Sequence, residues 1–271
     1  MTHPDQASGY DTFYEQFDSS LMRQLRQEAY GQDIGQHSWI TAEELAKDIP
    51  RLQLTRQSRL LDLGCGPGGP LTFVVSHVGC RATGVDLSPP AIESARARAT
   101  SAGLSGLIDF QVADSNEPLR FQPASFNAVI SVDVVLHLRD RAAVFNGVAR
   151  ILVPGGRFLF TDAGVITGLV SNEEVRQRAM HGFTQFVPAG FNERTIELAG
   201  FRLLESADRT PSLLANAMGR LASRNAYRKE LEQVEGKTYF EAQLQYLETV
   251  IALSERGSVS RVSYLAESHV A

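Results

Sequence analysis

R-L-L-D-L-G-C-G-P-G-G-P, residues 59 to 70, is the stretch on which the chain is organised. An apolar run of strand character, Leu60 to Leu63, carries one acid, Asp62, and meets glycines at alternate positions, Gly64, Gly66 and Gly68. Lacking a Cβ, each glycine can take positive φ and bring bare backbone against a ligand. A helix starting near Pro70 would aim its free N–H groups over the same loop. Gly64, Gly66 and Gly69 also satisfy the dinucleotide spacing G-x-G-x-x-G, so a nicotinamide-binding oxidoreductase competes at this point. Asp62 favours a cationic ligand over a pyrophosphate, because a strand-end carboxylate attracts ammonium or sulfonium and repels phosphate.

Downstream the pattern alternates. Strands are predicted at 59–63, 81–86, 107–112, 126–132 and 156–161, and helices at 70–78, 89–102 and 140–151. Apolar runs interleaved with helical patterns imply βαβ units, a parallel sheet covered on both faces and a doubly wound α/β fold. Ligands of such sheets bind beyond the carboxyl ends of the strands. Asp62, Asp86, Asp114 and Asp133 all fall at predicted strand ends, which puts four carboxylates on one rim. Asp86 lies 22 residues after Gly64, a position from which an acid accepts both hydroxyls of a ribose.

D-L-G-C-G-P-G at 62–68 resembles the first motif of the class I S-adenosylmethionine-dependent methyltransferases. The resemblance continues in V-D-L at 85–87, A-D at 113–114, F-N-A-V-I-S-V-D at 126–133 and L-V-P-G-G-R-F-L-F at 152–160. It implies a Rossmann-like sheet of seven strands, the last antiparallel, with S-adenosylmethionine held by Asp62, Gly64, Gly66, Gly68, Asp86, Leu87, Asp114, Ser115 and Val132. Within the family the chain resembles the small-molecule members acting on phosphoethanolamine, glycine derivatives and natural products. They imply a helical lid from 163–190 and 211–255 together with the N-terminal helix. Four sections follow: an N-terminal helical cap (1–50), a cofactor core (51–162), core completion with the lid (163–257) and a final strand (258–271).

Methyl transfer to an alcohol, phenol or ammonium needs the partners held in line and a base for the released proton. In S-V-D-V-V-L-H-L, His137 follows Asp133 by four residues, so one helical turn would set imidazole and carboxylate on the same side, raising the imidazole pKa. By the same resemblance His137 sits over the transferred methyl and Tyr14 is a second catalytic candidate. The segment Y-G-Q-D-I-G-Q-H-S-W-I-T, 30–41, is expected to close over the cofactor, bringing Tyr30, His37 and Trp39 to the substrate with His181 and Phe186. Thr41 reads as an N-cap, with Glu44 at the capping-box position. Aromatic positions after the fifth strand, Phe183, Phe186 and Phe191, favour an apolar or aromatic acceptor over a phosphorylated one.

Composition bounds the partners. Of 271 residues 43% are hydrophobic and 21% charged, as in ordinary globular proteins, and the formal net charge of -5 argues against a nucleic-acid surface. An RNA or protein methyltransferase and a catalytically silent relative remain as alternatives. The only cysteines, Cys65 and Cys80, lack metal-site spacing, so no metal is expected and a cytoplasmic location is. The first residues carry no signal-peptide pattern, and no apolar run reaches the roughly 18 residues of a membrane span. A monomer or homodimer is expected.

Overall fold

The computed structural model describes residues 11 and 13–269. Seven strands run in the order β3-β2-β1-β4-β5-β8-β7, where β1 is Arg59–Leu63, β2 Arg81–Asp86, β3 Ile108–Val112, β4 Phe126–Val132, β5 Leu152–Ile166, β7 Phe201–Asp208 and β8 Val259–Ser268. A two-residue β6, Val187–Pro188, pairs beside β5. Strands β1 to β5 are mutually parallel, and β8 lies between β5 and β7, antiparallel to both. The expected α/β sheet with an antiparallel last strand is therefore present.

Side chains alternate across this sheet as period two requires. Leu60, Ile130 and Leu159 face one apolar cluster, together with Val74 and Val75 of α3 (Gly69–Val78) and Ile92 and Ala95 of α4 (Pro89–Ser101). Leu61, Val129, Phe158 and Phe160 face the other, against Phe145 and Val148 of α5 (Arg141–Ile151) and Ile196 of α7 (Phe191–Leu198). Both faces are buried, so the strands read as apolar runs rather than half-polar ones.

Further helices lie outside the βα repeat, and three of them supply Arg178, Arg220 and Tyr246 to a cavity described below. These helices are α1 (Ser20–Tyr30), α2 (Ala42–Asp48), α6 (Asn172–Arg178), α8 (Thr210–Ala226), α9 (Arg228–Glu235) and α10 (Lys237–Glu255). Met22 and Leu25 of α1 pack on Leu231, Phe240 and Leu244, and Trp39 packs with Leu213, Ala217, Tyr246 and Val250. Among the described residues no helix is long and apolar enough to cross a membrane. The N-terminal helical pattern is interrupted at 16–19, as expected near Asp18, whereas Tyr10 lies outside the described residues.

Two local expectations are corrected. β5 extends to Ile166 because Val165 and Ile166 pair with Ser260 and Val259, so Ala163 and Gly164 belong to a strand and not to an irregular insert. Thr41 does cap α2, accepting from Glu44 N at 3.0 Å, but the Glu44 carboxylate is not turned back to complete a capping box. It accepts from Arg261 Nη1 at 2.7 Å and from Ser212 Oγ at 2.7 Å instead.

Candidate active site

The order of strands reverses between β1 and β4, and a cavity of about 200 Å³ opens over their carboxyl ends. The glycine loop lines it with the backbone of Gly64 and Gly66. Gly64, at φ +73°, has Val134 Cγ2 2.5 Å from where a Cβ would stand, and Gly66, at φ +52°, has the Tyr14 hydroxyl at 3.3 Å. Protein atoms thus crowd the loop from above. Gly68 does not line the cavity: it starts α3 at φ +75° and packs on Ala95 and Phe110.

Three strand-end acids, Asp62, Asp86 and Asp114, line the cavity. Asp62 is 2% exposed, and burial, then the negative charge of Asp86, pushes its carboxyl up to about 8. Asp86 accepts from Gly66 N at 2.8 Å and Ser88 N at 3.0 Å, and its pKa too is raised, mainly by burial. Asp114 accepts the backbone and side-chain N–H of Asn116 at 2.8 and 3.0 Å. Leu87, Ser115 and Val132 complete this part of the wall.

Asp133 also borders the cavity, at φ +57°, but its carboxylate is committed elsewhere. Oδ1 accepts from Arg261 Nε at 2.8 Å and Thr161 Oγ1 at 2.7 Å, and Oδ2 from Trp39 N at 2.8 Å. His137 does sit one short helical turn further on, in the 3₁₀ turn Val135–His137. Its Nδ1 lies 2.9 Å from Phe183 O, and because a carbonyl only accepts, Nδ1 carries the hydrogen and the neutral ring keeps its lone pair on Nε2. Burial lowers the His137 pKa and outweighs the carbonyl and the acids nearby, which reverses the direction expected from an Asp133 dyad.

Basic and aromatic side chains make up another part of the wall. Tyr14, His37, Trp39 and His181 line the cavity, with the Tyr14 hydroxyl 3.3 Å from His37 Nδ1. Burial first, then the positive charge of Arg220, holds His181 at about 3 and His37 well below its usual value. Tyr30 does not line the cavity; its hydroxyl donates to Ser38 O at 2.8 Å and shapes the loop. Phe186 does not line it either, standing behind Arg178, whose Cζ is 5.9 Å from its ring.

Sequence reasoning missed Arg178, Arg220 and Tyr246, all of which line the cavity. Arg178 ends α6 and reads in sequence as a cation for the helix C-terminus. Arg220 and Tyr246 come from two helices whose facing sides only the fold defines. Phe183 and Phe191, which suggested an apolar acceptor, are instead exposed and outside the cavity.

Residues 61–160 match the model of a methyltransferase domain. The chain is 30% identical over 215 residues to O-methyltransferase rstn1 of Aspergillus nomiae, covering 74% of this chain and 92% of that protein. In fold it is similar to a putative sarcosine dimethylglycine methyltransferase from Galdieria sulphuraria, with a TM-score of 0.76, 22% identity and 85% of each chain covered. It is also similar to the [4+2]-cyclase SpnF, with a TM-score of 0.76 and 18% identity over 100% of this chain and 99% of that one.

Proposed function

The chain belongs to the class I S-adenosylmethionine-dependent methyltransferases, and from that membership we propose that it methylates an oxygen, nitrogen or carbon of a small-molecule metabolite. The observation that carries the reading is one cavity with buried acids at the strand ends and a neutral imidazole on its rim.

The residues present fit the cofactor. Asp62 is a buried acid that burial and Asp86 keep largely protonated, and a cationic amino acid group beside it would restore its charge. Asp86 retains acceptor capacity for a ribose, and Asp114, Ser115 and Leu87 form the edge where a base would lie. When bound, S-adenosylmethionine supplies an electrophilic methyl.

The chain then has three tasks: to position the acceptor, keep out water and take up the acceptor's proton. The Tyr14 hydroxyl, lying over Gly66, closes the cavity above the loop. His137 Nε2 is the proton acceptor, since Nδ1–H is fixed on Phe183 O and the lowered pKa keeps the ring neutral. Asp133 acts through the segment it anchors at Trp39 rather than through the imidazole.

Calorimetry with S-adenosylhomocysteine and with NAD separates this from the oxidoreductase alternative. Binding of the first alone is expected; a protein that takes NAD and refuses S-adenosylhomocysteine would overturn the proposal. The overall charge of -5 favours a metabolite over a nucleic acid as acceptor.

A further inference from the structure

The geometry points to a methyl acceptor that carries an anionic group, a carboxylate or a phosphate, received by Arg178 and Arg220 of the same cavity that Asp62, Asp86 and Asp114 line. This rests on the methyltransferase reading for the cofactor and for the methyl that the ligand would accept.

Arg178 is 5% exposed, yet among the described residues it has no carboxylate partner. Its Nη1 donates to the Tyr246 hydroxyl at 2.9 Å and its Nη2 to Ala163 O at 2.8 Å, two neutral acceptors that satisfy hydrogen bonds without cancelling charge. A buried cation left in that state is costly, and a ligand that brings the counter-charge recovers the cost. Arg220 repeats the situation. Its Cζ stands 4.8 Å above the Trp39 ring, and among the described residues it forms no ion pair.

Aromatic rings join the two guanidinium groups into one wall. Trp39 stacks on Tyr246 at 6.3 Å between centroids, and Arg178 Cζ is 5.3 Å from the Tyr246 ring. Planar guanidinium groups supported on rings present their N–H edges to a carboxylate or phosphate. Asp133, which also lines the cavity, is paired with Arg261, a cation it shares with Glu44, and forms no ion pair with Arg178 or Arg220. The cavity therefore carries both kinds of charge, buried acids suited to the cationic side of a cofactor and arginines without a carboxylate partner among the described residues, suited to an anionic acceptor. His37 and His181 are kept neutral first by burial and then by the positive charge of Arg220.

Trp39 is the only tryptophan in the chain, so its fluorescence reports this wall directly. Protein saturated with S-adenosylhomocysteine is titrated with benzoate, phenyl phosphate and benzamide, with calorimetry as a second readout. At least one anion is expected to bind saturably and about tenfold or more tighter than neutral benzamide, benzoate identifying a carboxylate acceptor and phenyl phosphate a phosphorylated one. Arg220→Met and Arg178→Lys are each expected to weaken that anion by about tenfold while leaving S-adenosylhomocysteine affinity unchanged. Equal binding of benzamide and both anions, or undiminished anion binding by Arg220→Met, which is half-buried and leaves the core intact, overturns the proposal. Anion binding that persists in a protein unable to bind S-adenosylhomocysteine would instead remove the cofactor assignment and leave the arginine wall standing.

Discussion

Arg261 of the last strand donates from Nε to Asp133 Oδ1 at 2.8 Å, joining positions 128 residues apart at the rim of the cavity. The guanidinium is fully buried and its Nη1 reaches Glu44 of α2 at 2.7 Å. Burial alone would depress the arginine pKa, but Asp133 and Glu44 outweigh it and hold it above the ordinary value. One cation thus fixes three elements: the end of β4, the helix after the loop, and β8.

Arg261→Met is expected to remove this tie and strand two carboxylates. A loss of about 3–5 kcal/mol in urea unfolding is expected, the range for breaking a buried pair from one side. The stranded acids would then favour protonation in the folded state, so the folded variant binds more protons than the unfolded one and its deficit shrinks as pH falls. A deficit that is small, or that grows on acidification, would show that the pair contributes little.

His137→Ala is expected to cut turnover at least about tenfold, given typical general-base contributions of about 10² to 10⁴, with S-adenosylmethionine affinity nearly unchanged. Because the imidazole pKa is lowered, the neutral base persists below the usual histidine range. The limiting rate is therefore expected to stay flat as pH drops through the usual value of 6.5 and to fall only below it. Unchanged turnover in the variant would reassign His137 to structure.

Asp62 is expected to give cofactor binding a pH dependence. In the free protein the carboxyl is pushed to about 8, so it is mostly protonated at neutral pH. A bound ammonium favours the ionised form, and binding then releases a proton. Affinity for S-adenosylhomocysteine is expected to rise with pH up to about 8, the value from which the slope is read. Calorimetry in buffers of different ionisation enthalpy measures the released proton, and Asp62→Asn is expected to abolish it along with the slope. For folding the sign is the reverse: the raised folded-state pKa stabilises the protein at low pH, and that contribution is lost as pH rises toward about 8.

Gly64→Ala tests the loop. A left-handed backbone costs an alanine roughly 1–2 kcal/mol, and its Cβ would stand 2.5 Å from Val134 Cγ2. The double variant Gly64→Ala, Val134→Ala is expected to recover the crowding part of the loss and keep the backbone part. Additive thermal shifts would show that Val134 is not what the glycine accommodates.

The parts of this molecule legible in sequence are those set by local rules. The runs at 59–63, 81–86 and 126–132 form strands at those limits, because strands buried on both faces leave continuous apolar signals bounded by glycine and acid. The strand-end acids and the glycine loop do meet at one cavity, as the switch-point rule requires. What was hidden depends on distant pairings. β5 continues to Ile166 because β6 on one side, and β8 nearly a hundred residues later on the other, supply partners. Asp133 was expected to serve His137, four residues away, whereas the cation that claims it comes from the end of the chain. Phe183 and Phe191 signalled an apolar acceptor by composition, but they face outward while Arg178 and Arg220 turn in. Which side of a helix faces a cavity is decided by packing, and a charge run carries no trace of it.

Trp39 is gripped through its main chain from two directions, its N–H by Asp133 and its carbonyl by the Asn216 side-chain amide. The indole beneath Arg220 is thereby carried on a fixed post. With both of its main-chain polar groups tied down, the ring keeps its tilt, so the face it offers Arg220 is set by the fold.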